Sequence, residues 1–241
     1  MLKPAIEVRD IRYAYEGAGR DALSGVSFAV FRGEKTAIVG PNGSGKSTLL
    51  LCLAGAFAAR SGEIRVNGER AGADDLRKSV GLIFQDPDDQ LIMPSVIEDV
   101  AFGLAADGVP AAEAQERALE TLSALGAARL AGRAPHKLSG GEKRMAALAG
   151  ILVTEPDILV LDEPTSSLDP RARRRVIDTL SGMDKTAIIA THDLDMALDV
   201  CGRAIILHNG TISRDGPLPD MFRDSALLSA NDLEPPLRWR V

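Results

Sequence analysis

The sequence predicts an α/β fold with a mostly parallel sheet as its core, an N-terminal antiparallel β-subdomain and a helical subdomain. Two continuous apolar runs, 158–161 and 186–190, have the length of parallel strands that are covered on both faces. Residues near the N-terminus alternate between apolar and polar, which is typical of half-buried antiparallel strands. The stretch from about 88 to 150 is mostly helical in its pattern, and we expect it to stand off the sheet.

The N-terminal part of the chain contains four predicted strands. Residues 5–9 and 25–30 alternate in polarity, as half-buried antiparallel strands do. Residues 35–39 form a short apolar strand that runs directly into a glycine-rich loop, and residues 62–68 form another that ends in an Asn-Gly turn signal. This part of the chain therefore supplies β-structure and one loop that can carry chemistry.

Helix signals follow in the middle of the chain, and a hairpin signal follows near its end. Pro110 is expected to open a helix that stops near Gly126. The apolar residues predicted to share one face of that helix are Ala118, Leu119, Leu122 and Leu125. The uncharged run 47–59 is too short to span a bilayer and predicts a buried core helix. A last hairpin is expected around 209–210, and residues from about Ala230 are expected to be loosely ordered.

Composition limits the classes of function that fit the chain. The 241 residues, 45% apolar and 26% charged, are ordinary for a globular protein, and we expect one functional unit over 1–241. A net charge of −6 argues against a nucleic-acid surface spread over the whole protein. Cys52 and Cys201 are predicted to be free buried thiols, which fits a reducing compartment. The first residues lack the apolar core of a signal peptide, so we expect a soluble, cytoplasmic chain that reaches a membrane only through a partner.

Residues 40–47 match the phosphate-loop pattern Gly-x-x-x-x-Gly-Lys-Ser. Glycines let the backbone wrap closely, so that successive N–H groups point at phosphate oxygens, and the helix that follows presents its positive end. Lys46 would reach the β- and γ-phosphates, the Ser47 hydroxyl would ligate Mg²⁺, and Thr48 is expected at an inner phosphate. The candidate nucleotide-binding residues are Asn42, Gly43, Ser44, Gly45, Lys46, Ser47 and Thr48.

Polar residues follow both apolar runs at their carboxyl ends, where open α/β sheets bind ligands. Asp162 ends the first run and is the candidate Mg²⁺ ligand, directly or through a water. Glu163 is then placed to orient and deprotonate the water that attacks the γ-phosphate. His192, at the end of the second run, would hydrogen-bond the γ-phosphate and fix that water. The alternatives are a helix-end or surface acid for Glu163 and a structural or exposed histidine for His192.

A second helix start follows Leu138. Ser139 and Glu142 have the spacing of a capping box, and the residues from Lys143 onward are predicted to be helical. The simple interpretation is a well-capped helix. However, Gly140 and Gly141 would expose backbone N–H groups at a helix N-terminus, which makes a second anion site. Both helix starts could bind a single ATP if they came from different subunits.

These motifs resemble those of the ATP-binding cassette family over nearly the whole chain. Residues 138–142 are similar to the family signature, and residues 162–170 are similar to the second Walker motif and the D-loop that follows it. The resemblance implies a phosphate-loop NTPase with a RecA-like sheet core. It also implies a head-to-tail homodimer that holds two ATP molecules, each between Lys46 of one subunit and Ser139 of the other.

The resemblance adds three candidate residues that spacing alone does not identify. Gln85 falls where the family has its Q-loop glutamine, which links Mg²⁺ and the catalytic centre to the helical subdomain. Asp169 lies in the D-loop and becomes a candidate at the nucleotide interface. Tyr15 falls where an aromatic residue stacks on adenine, and Tyr13 is the competing choice.

A narrower resemblance begins at the Q-loop. Residues 84–91, followed by 94–96 and 98–103, are similar to the ATPases of the energy-coupling-factor importers, and residues 232–236 resemble the tail of cobalt-transport members. This resemblance implies import of cobalt, nickel or a vitamin, with a transmembrane coupling protein and a substrate-binding membrane component as partners. The chain would then lie at the cytoplasmic face of the membrane as a peripheral subunit. The lack of a longer C-terminal extension fits a homodimer.

Three other classes of protein compete with this interpretation. Another ABC importer or an exporter shares the same ATP chemistry, and the run from Gln85 to Gln90 is the feature that discriminates against it. Cassette ATPases that act on DNA or ribosomes usually carry coiled-coil insertions or two cassettes, and this chain has neither. A sensing module that binds nucleotide without hydrolysing it is disfavoured because both Glu163 and His192 are present.

Overall fold

The computed structural model describes residues 3–239. The predicted unit 1–241 also contains residues 1, 2, 240 and 241, which lie outside the described residues. The first two of these also belong to the segment predicted to lack a signal-peptide core. Contacts divide the chain into two units. The first unit contains the residues up to Leu82, 157–163 and those from Met183 onward, and the second contains 83–156 and 164–182.

The chain forms ten strands and nine α-helices within residues 3–239. The strands are β1 Ile6–Tyr13, β2 Leu23–Val30, β3 Lys35–Val39, β4 Ser61–Val66, β5 Glu69–Arg70, β6 Val80–Ile83, β7 Ile158–Asp162, β8 Thr186–Thr191, β9 Arg203–His208 and β10 Thr211–Pro217. The helices are α1 Lys46–Leu53, α2 Ala73–Ser79, α3 Val96–Ala106, α4 Ala111–Ala124, α5 Gly140–Leu152, α6 Pro170–Gly182, α7 Leu194–Val200, α8 Leu218–Arg223 and α9 Ser225–Ala230.

A six-stranded sheet carries the loops that matter for function. Its strand order is β10-β9-β3-β8-β7-β6, in which β9, β3, β8 and β7 run parallel and β10 pairs antiparallel with β9. Every residue of β7 and β8 is buried, as continuous apolar runs in a covered parallel sheet predict. The predicted mostly parallel core is confirmed, and the carboxyl ends of β3, β7 and β8 lie side by side at one edge.

A separate antiparallel sheet confirms the predicted N-terminal β-subdomain. Its order is β2-β1-β4-β5, and its inward-facing residues join side chains of α1 and of the parallel sheet in one apolar core within the first unit. Asn67 and Gly68 both have positive φ at the β4–β5 turn, as the Asn-Gly signal predicts. Asn209 and Gly210 form the same kind of turn between β9 and β10, so the predicted last hairpin is confirmed as well.

The helix predicted from the uncharged run 47–59 is shorter than expected. It covers only Lys46–Leu53, and Leu49, Leu50 and Cys52 lie in the core. The chain turns away at Gly55, where φ is +68° and an added Cβ would lie 2.6 Å from a carbonyl oxygen of α2. Because polarity does not change at the turn, the uncharged run conceals where the helix ends. Both cysteines are free and buried, as predicted.

Helices α3 to α6 form the second unit, which includes the predicted helical stretch at about 88–150. Helix α4 begins directly after Pro110, as expected, and buries Ala114, Ala118 and Leu122. The prediction for Leu119 is wrong, since the residue is 44% exposed. The buried residues recur at every fourth position, and Leu119 is rotated by about 100° from Ala118 around the helix axis.

The expectation of a loosely ordered C-terminal end is wrong for the residues up to 239. The Asp195 carboxylate of α7 accepts hydrogen bonds from the backbone N–H groups of Leu237 and Arg238 and from the Arg238 guanidinium. Arg238 also lies 2.9 Å from Asp199. The proline-containing segment is therefore held against α7 by charge, which a composition argument does not reveal.

Candidate functional site

The glycine-rich loop between β3 and α1 is shaped by close approaches to neighbouring backbone. A Cβ added at Gly40 would overlap the carbonyl oxygen of Leu207. At Gly45, φ is +106°, and an added Cβ would lie 2.7 Å from the carbonyl oxygen of Ala22. Any other residue would have to displace backbone at either position, so the glycines fix the path of the loop.

The Ser44 side chain leaves a polar group of the loop available to a ligand. It is buried, and within residues 3–239 its hydroxyl has no hydrogen-bond partner. The Ser44 carbonyl, by contrast, accepts a bond of 3.0 Å from Gly210 N–H at the β9–β10 turn. A buried hydroxyl without a partner is costly unless a ligand supplies one. A phosphate oxygen would accept this hydrogen bond, so the loop fits the phosphates of a nucleotide.

Lys46 places a buried ammonium group inside the same loop. The residue is 7% exposed, and Nζ donates to the carbonyl oxygens of Gly40 at 2.8 Å and Pro41 at 3.0 Å. Burial lowers the pKa of Lys46, and the nearby carboxylates of Glu163 and Asp162 partly offset that effect by raising it. The ammonium is thus held beside the residues that end β7.

Ser47 and Asp162 offer the oxygen ligands that Mg²⁺ prefers. Ser47 is the second residue of α1 and is exposed, while Asp162 is the buried last residue of β7 and lies opposite Ala190 in β8. No group of three or more His, Cys, Asp or Glu side chains that could hold a metal ion occurs in the described part of the chain. A metal ion here would therefore need phosphate or water oxygens as well, which fits a nucleotide-bound Mg²⁺.

Glu163 follows Asp162 and has both of its carboxylate oxygens engaged. Oε1 accepts from the His192 backbone N–H at 3.0 Å and lies 2.7 Å from His192 Nδ1. Oε2 accepts from the Thr191 hydroxyl at 3.2 Å. The residue is buried and has φ of +45°, a strained value for a side chain with a Cβ. The ends of β7 and β8 therefore bring together the predicted base and the predicted histidine, whose own side chain is 62% exposed.

Aromatic residues lie beside α1, where an adenine ring could stack. The Tyr15 hydroxyl is 2.9 Å from Thr48 Oγ1, and Tyr15 is 46% exposed. Tyr13 stacks on Phe57 with ring centroids 5.0 Å apart, and Tyr15 meets both rings edge-on. Tyr15 is thus tied to the phosphate-loop helix and more exposed, while the choice between the two tyrosines stays a prediction.

The signature residues form the N-terminus of α5 in the second unit. Glu142 N–H donates to Ser139 Oγ, and the Glu142 carboxylate accepts from the Ser139 backbone N–H at 3.0 Å. The predicted capping box is therefore confirmed. A Cβ added at Gly141 would lie 2.5 Å from the Ala172 Cβ of α6, whereas one at Gly140 would make ordinary contact. Gly141 is thus required by the close packing of two helices.

Asp169 has a structural task that sequence analysis does not anticipate. Its Oδ1 accepts hydrogen bonds from the backbone N–H groups of Arg171 at 2.9 Å and Ala172 at 3.0 Å. It therefore caps the start of α6. Its predicted contact with a nucleotide is a separate matter and stays a prediction.

A family model matches residues 23–166, which include the phosphate loop, the signature and Glu163. The model is that of the ABC transporter family, and it covers more than half of the chain. The chain belongs to the ABC transporter family. It is accordingly an ATP-hydrolysing enzyme and the ATP-binding subunit of a transporter.

Relatives of this ABC transporter subunit match almost its whole length. An energy-coupling factor transporter ATP-binding protein, EcfA of Methanothermobacter thermautotrophicus, is 43% identical over 96% of this chain and 76% of its own. The structure of cbiO1 from Clostridium perfringens, part of the ABC transporter complex cbiONQ, is 35% identical with a TM-score of 0.83, over 95% of this chain and 94% of that one. Other relatives, 39 to 47% identical, are named only provisionally, as ABC transporter ATP-binding proteins.

A solved structure of another cassette shows a bound nucleotide. It is a dimeric, post-hydrolysis state of the ATP-binding cassette MJ0796 with ADP and Pi, 28% identical to this ABC transporter subunit with a TM-score of 0.78. The match covers 88% of this chain and 98% of that one. These comparisons confirm the predicted family and fold.

Arg144 is a residue of the ABC transporter subunit that sequence analysis missed. It is 3% exposed, and its guanidinium donates to the backbone carbonyl oxygens of Phe84 at 2.6 Å and Gln85 at 2.7 Å. The Q-loop backbone is thus fixed to α5, while the Gln85 side chain is exposed within the second unit. The sequence signal that could have identified Arg144 is its charge directly before the apolar stretch 145–149. The predicted link between Gln85 and Mg²⁺ stays a prediction.

None of the helices between residues 3 and 239 is both long and apolar enough to cross a membrane.

Proposed function

We propose that this chain powers an energy-coupling-factor type importer by hydrolysing ATP at the site around Lys46 and Glu163. The observation that carries the proposal is the likeness to EcfA and to cbiO1 over nearly the full chain. The run from Gln85 to Gln90, the feature that distinguishes this group in the sequence, supports it independently. We further propose that both structural units act together as one nucleotide-binding domain over 1–241.

The arrangement at the strand ends supports a specific division of roles in hydrolysis. Lys46 and the loop N–H groups bind the phosphates, and Ser47, Asp162 and Gln85 are the residues that would hold Mg²⁺. When bound, Mg²⁺ supplies charge neutralisation at the β- and γ-phosphates. Glu163 accepts a proton from the attacking water, and His192 orients the carboxylate and the γ-phosphate. Burial of Glu163 and its fixed carboxylate oxygens support this assignment.

The nucleotide would be enclosed by two copies of the chain. In this dimer, Ser139, Gly140 and Gly141 of one subunit face the γ-phosphate bound at Lys46 of the other, with Asp169 at the interface. Tyr15 stacks on the adenine. The dimeric MJ0796 cassette with ADP and Pi supports this arrangement by likeness. ATP closes the dimer because the γ-phosphate bridges both helix starts, and hydrolysis removes the bridge.

Movement at the ATP site would pass through the Q-loop to a transmembrane coupling protein. Arg144 supports this route because it ties the Gln85 backbone directly to the signature helix. The chain would lie peripherally at the cytoplasmic face of the membrane. A separate membrane component would select the cargo, for which cobalt is our first choice and nickel or a vitamin the alternatives.

Purification from native membranes tests the proposal. The tagged full-length chain is extracted in mild detergent, and the proteins that copurify are identified by mass spectrometry. We expect a helical membrane coupling protein and a small substrate-binding membrane protein, and metal analysis of the purified complex then separates cobalt from nickel. Recovery with a membrane protein of another ABC class would refute the energy-coupling-factor assignment. Recovery with only soluble factors would refute the proposed complex with these membrane partners.

A further inference from the structure

Thr191 occupies a central position at the edge of the parallel sheet. It is the last residue of β8 and is fully buried. In the strand register it lies opposite Val39, directly before the phosphate loop, while its neighbour Ala190 lies opposite Asp162. The residue therefore sits between the strand that leads to the phosphates and the strand that leads to Glu163.

The Thr191 hydroxyl joins two parts of the proposed catalytic group. It donates a hydrogen bond of 3.2 Å to Glu163 Oε2, and it accepts one of 3.0 Å from the Asp193 backbone N–H. The second bond holds the turn that carries His192. One oxygen atom thus connects the carboxylate of the proposed base to the backbone around the histidine.

Different residues hold the two carboxylate oxygens of Glu163, and their hydrogen bonds together fix the plane of the carboxylate. Oε1 is held by the backbone and ring of His192, and Oε2 is held by Thr191. Without the Thr191 hydroxyl, Oε2 loses its partner, and only the contacts of Oε1 with His192 remain to oppose rotation of the carboxylate about its last bond. A general base must point one oxygen at its proton, so this rotation directly reduces the productive population.

We propose that Thr191 is a positioning residue for ATP hydrolysis, which fixes the Glu163 carboxylate relative to the His192 turn. This inference rests on the proposed role of Glu163 as the base. Thr191 is fully buried and its hydroxyl is engaged by Glu163 and the Asp193 N–H, so it acts through Glu163. Its removal should therefore lower the rate of turnover and leave the affinity for ATP unchanged.

Thr186 provides a matched control at the opposite end of the same strand. It is also buried, and its hydroxyl accepts a hydrogen bond of 3.0 Å from the Gly33 backbone N–H. Thr186→Val and Thr191→Val make the same chemical change at similar burial in β8. A purely structural role for Thr191 predicts similar consequences for both variants.

Steady-state Mg²⁺–ATP hydrolysis and equilibrium ATP binding by the full-length chain test the proposal. For Thr191→Val we expect kcat to fall roughly 10-fold or more, the size typical of a lost hydrogen bond to a charged group, with KM and ATP affinity within about twofold. Thr191→Ser retains the hydroxyl and should restore most of kcat. Thr186→Val should keep kcat within about twofold of the wild type. If Thr191→Val does not fold, Thr191→Ala is used with the same expectations.

The outcomes separate this inference from the proposed function. An unchanged kcat in Thr191→Val, an equal loss in Thr186→Val, or a failure of Thr191→Ser to recover activity would overturn the positioning role. Glu163→Gln is assayed in parallel and should lose turnover by about 10² to 10⁴ while still binding ATP. If Glu163→Gln is inactive and Thr191→Val is fully active, only the inference fails. If Glu163→Gln keeps its turnover, the proposed base is wrong, and the inference is overturned with it.

Discussion

The two helix starts that the sequence identifies as phosphate sites are built in opposite ways. Helix α1 follows Gly45 in a left-handed conformation, has no side-chain cap and carries no acidic residue in its first turn. Helix α5 follows Ser139 and is closed by a reciprocal capping box with Glu142. The first helix start is therefore open to a ligand, whereas the second is already satisfied in part by its own chain.

This difference suggests what each helix start can do alone. The N–H groups at an uncapped start attract anions, and the buried ammonium of Lys46 adds positive charge. At α5 the carboxylate of Glu142 already interacts favourably with the positive helix end and with Arg129 and Arg133. We therefore expect the phosphate loop to bind ATP in a separated chain, and the signature to contribute only when a second copy presents its nucleotide.

Among the variants that compare the two helix starts, replacement of Lys46 should have the largest effect, which is a loss of ATP affinity. Lys46→Ala removes the buried ammonium that would contact the phosphates, and we expect ATP affinity to fall about 100-fold, the upper range for hydrogen bonds to charged groups. Isothermal titration of the dilute chain with ATP measures the change. Lys143→Ala is the matched control, because it removes an ammonium from the first turn of α5 that pairs with Asp88. Equal losses in both variants would contradict the proposed difference between the two sites.

Glycines serve the two helix starts for different reasons, and substitution separates them. An added Cβ at Gly43 of the phosphate loop meets nothing within 4 Å, but its φ of +78° is unfavourable for other residues. Gly141 has no such φ, but an added Cβ would lie 2.5 Å from the Cβ of Ala172. The first glycine is needed for backbone conformation, and the second is needed for space between α5 and α6.

Gly141→Ala should therefore lower the free energy of unfolding by about 2 kcal/mol through overpacking. Chemical denaturation monitored by circular dichroism measures the loss. Ala172→Gly in the same chain removes the clashing methyl group, and the double variant should recover most of the loss beyond the cost of a helical glycine. Gly43→Ala cannot be rescued by a smaller neighbouring residue, because an added Cβ there meets nothing within 4 Å and the cost arises from the backbone φ. If Ala172→Gly fails to rescue Gly141→Ala, the glycine is not explained by helix packing.

Sequence patterns predicted the parallel core, the antiparallel subdomain and the glycine-rich loop between β3 and α1, because these features depend on local periodicity and on glycines with fixed geometry. The capping box at Ser139 was equally visible, since both of its partners lie within one turn. Leu119 was placed on the wrong face of α4 because a run of apolar residues does not say which of them touch a neighbour. The end of α1 at Leu53 was missed because polarity does not change at the turn that follows.

Contacts between distant segments could not be predicted from one sequence. Arg144 holds the Phe84 and Gln85 carbonyl groups across about sixty positions of the chain. The Asp195–Arg238 contact orders the end of the described chain in the same way. Thr191 was visible beside His192, but its bond to Glu163 depends on the strand order of the sheet. Such residues become identifiable only when the fold brings their partners together.

The smallest effect is expected from the charge on Glu142. Glu142→Gln keeps a side chain that can complete a capping box, and it loses the ion pairs with the exposed Arg129 and Arg133, so we expect a loss of about 0.5 kcal/mol in unfolding free energy. The Ser139 backbone N–H, then the Ser139 hydroxyl and the two arginines, hold the pKa of Glu142 below its usual value of 4.5.

The pH dependence of this loss tests its electrostatic origin. Because the folded state has the lower pKa, the stabilising contribution of Glu142 is fully present above pH 4.5 and is lost as the pH falls through the folded-state value. The stability difference between wild type and Glu142→Gln should therefore shrink below pH 4.5, and added salt should reduce it at neutral pH. A difference independent of both pH and salt would mean that α5 is capped by hydrogen-bond geometry alone. The negative charge of Glu142 would then not contribute to the difference between the signature and the uncapped phosphate loop.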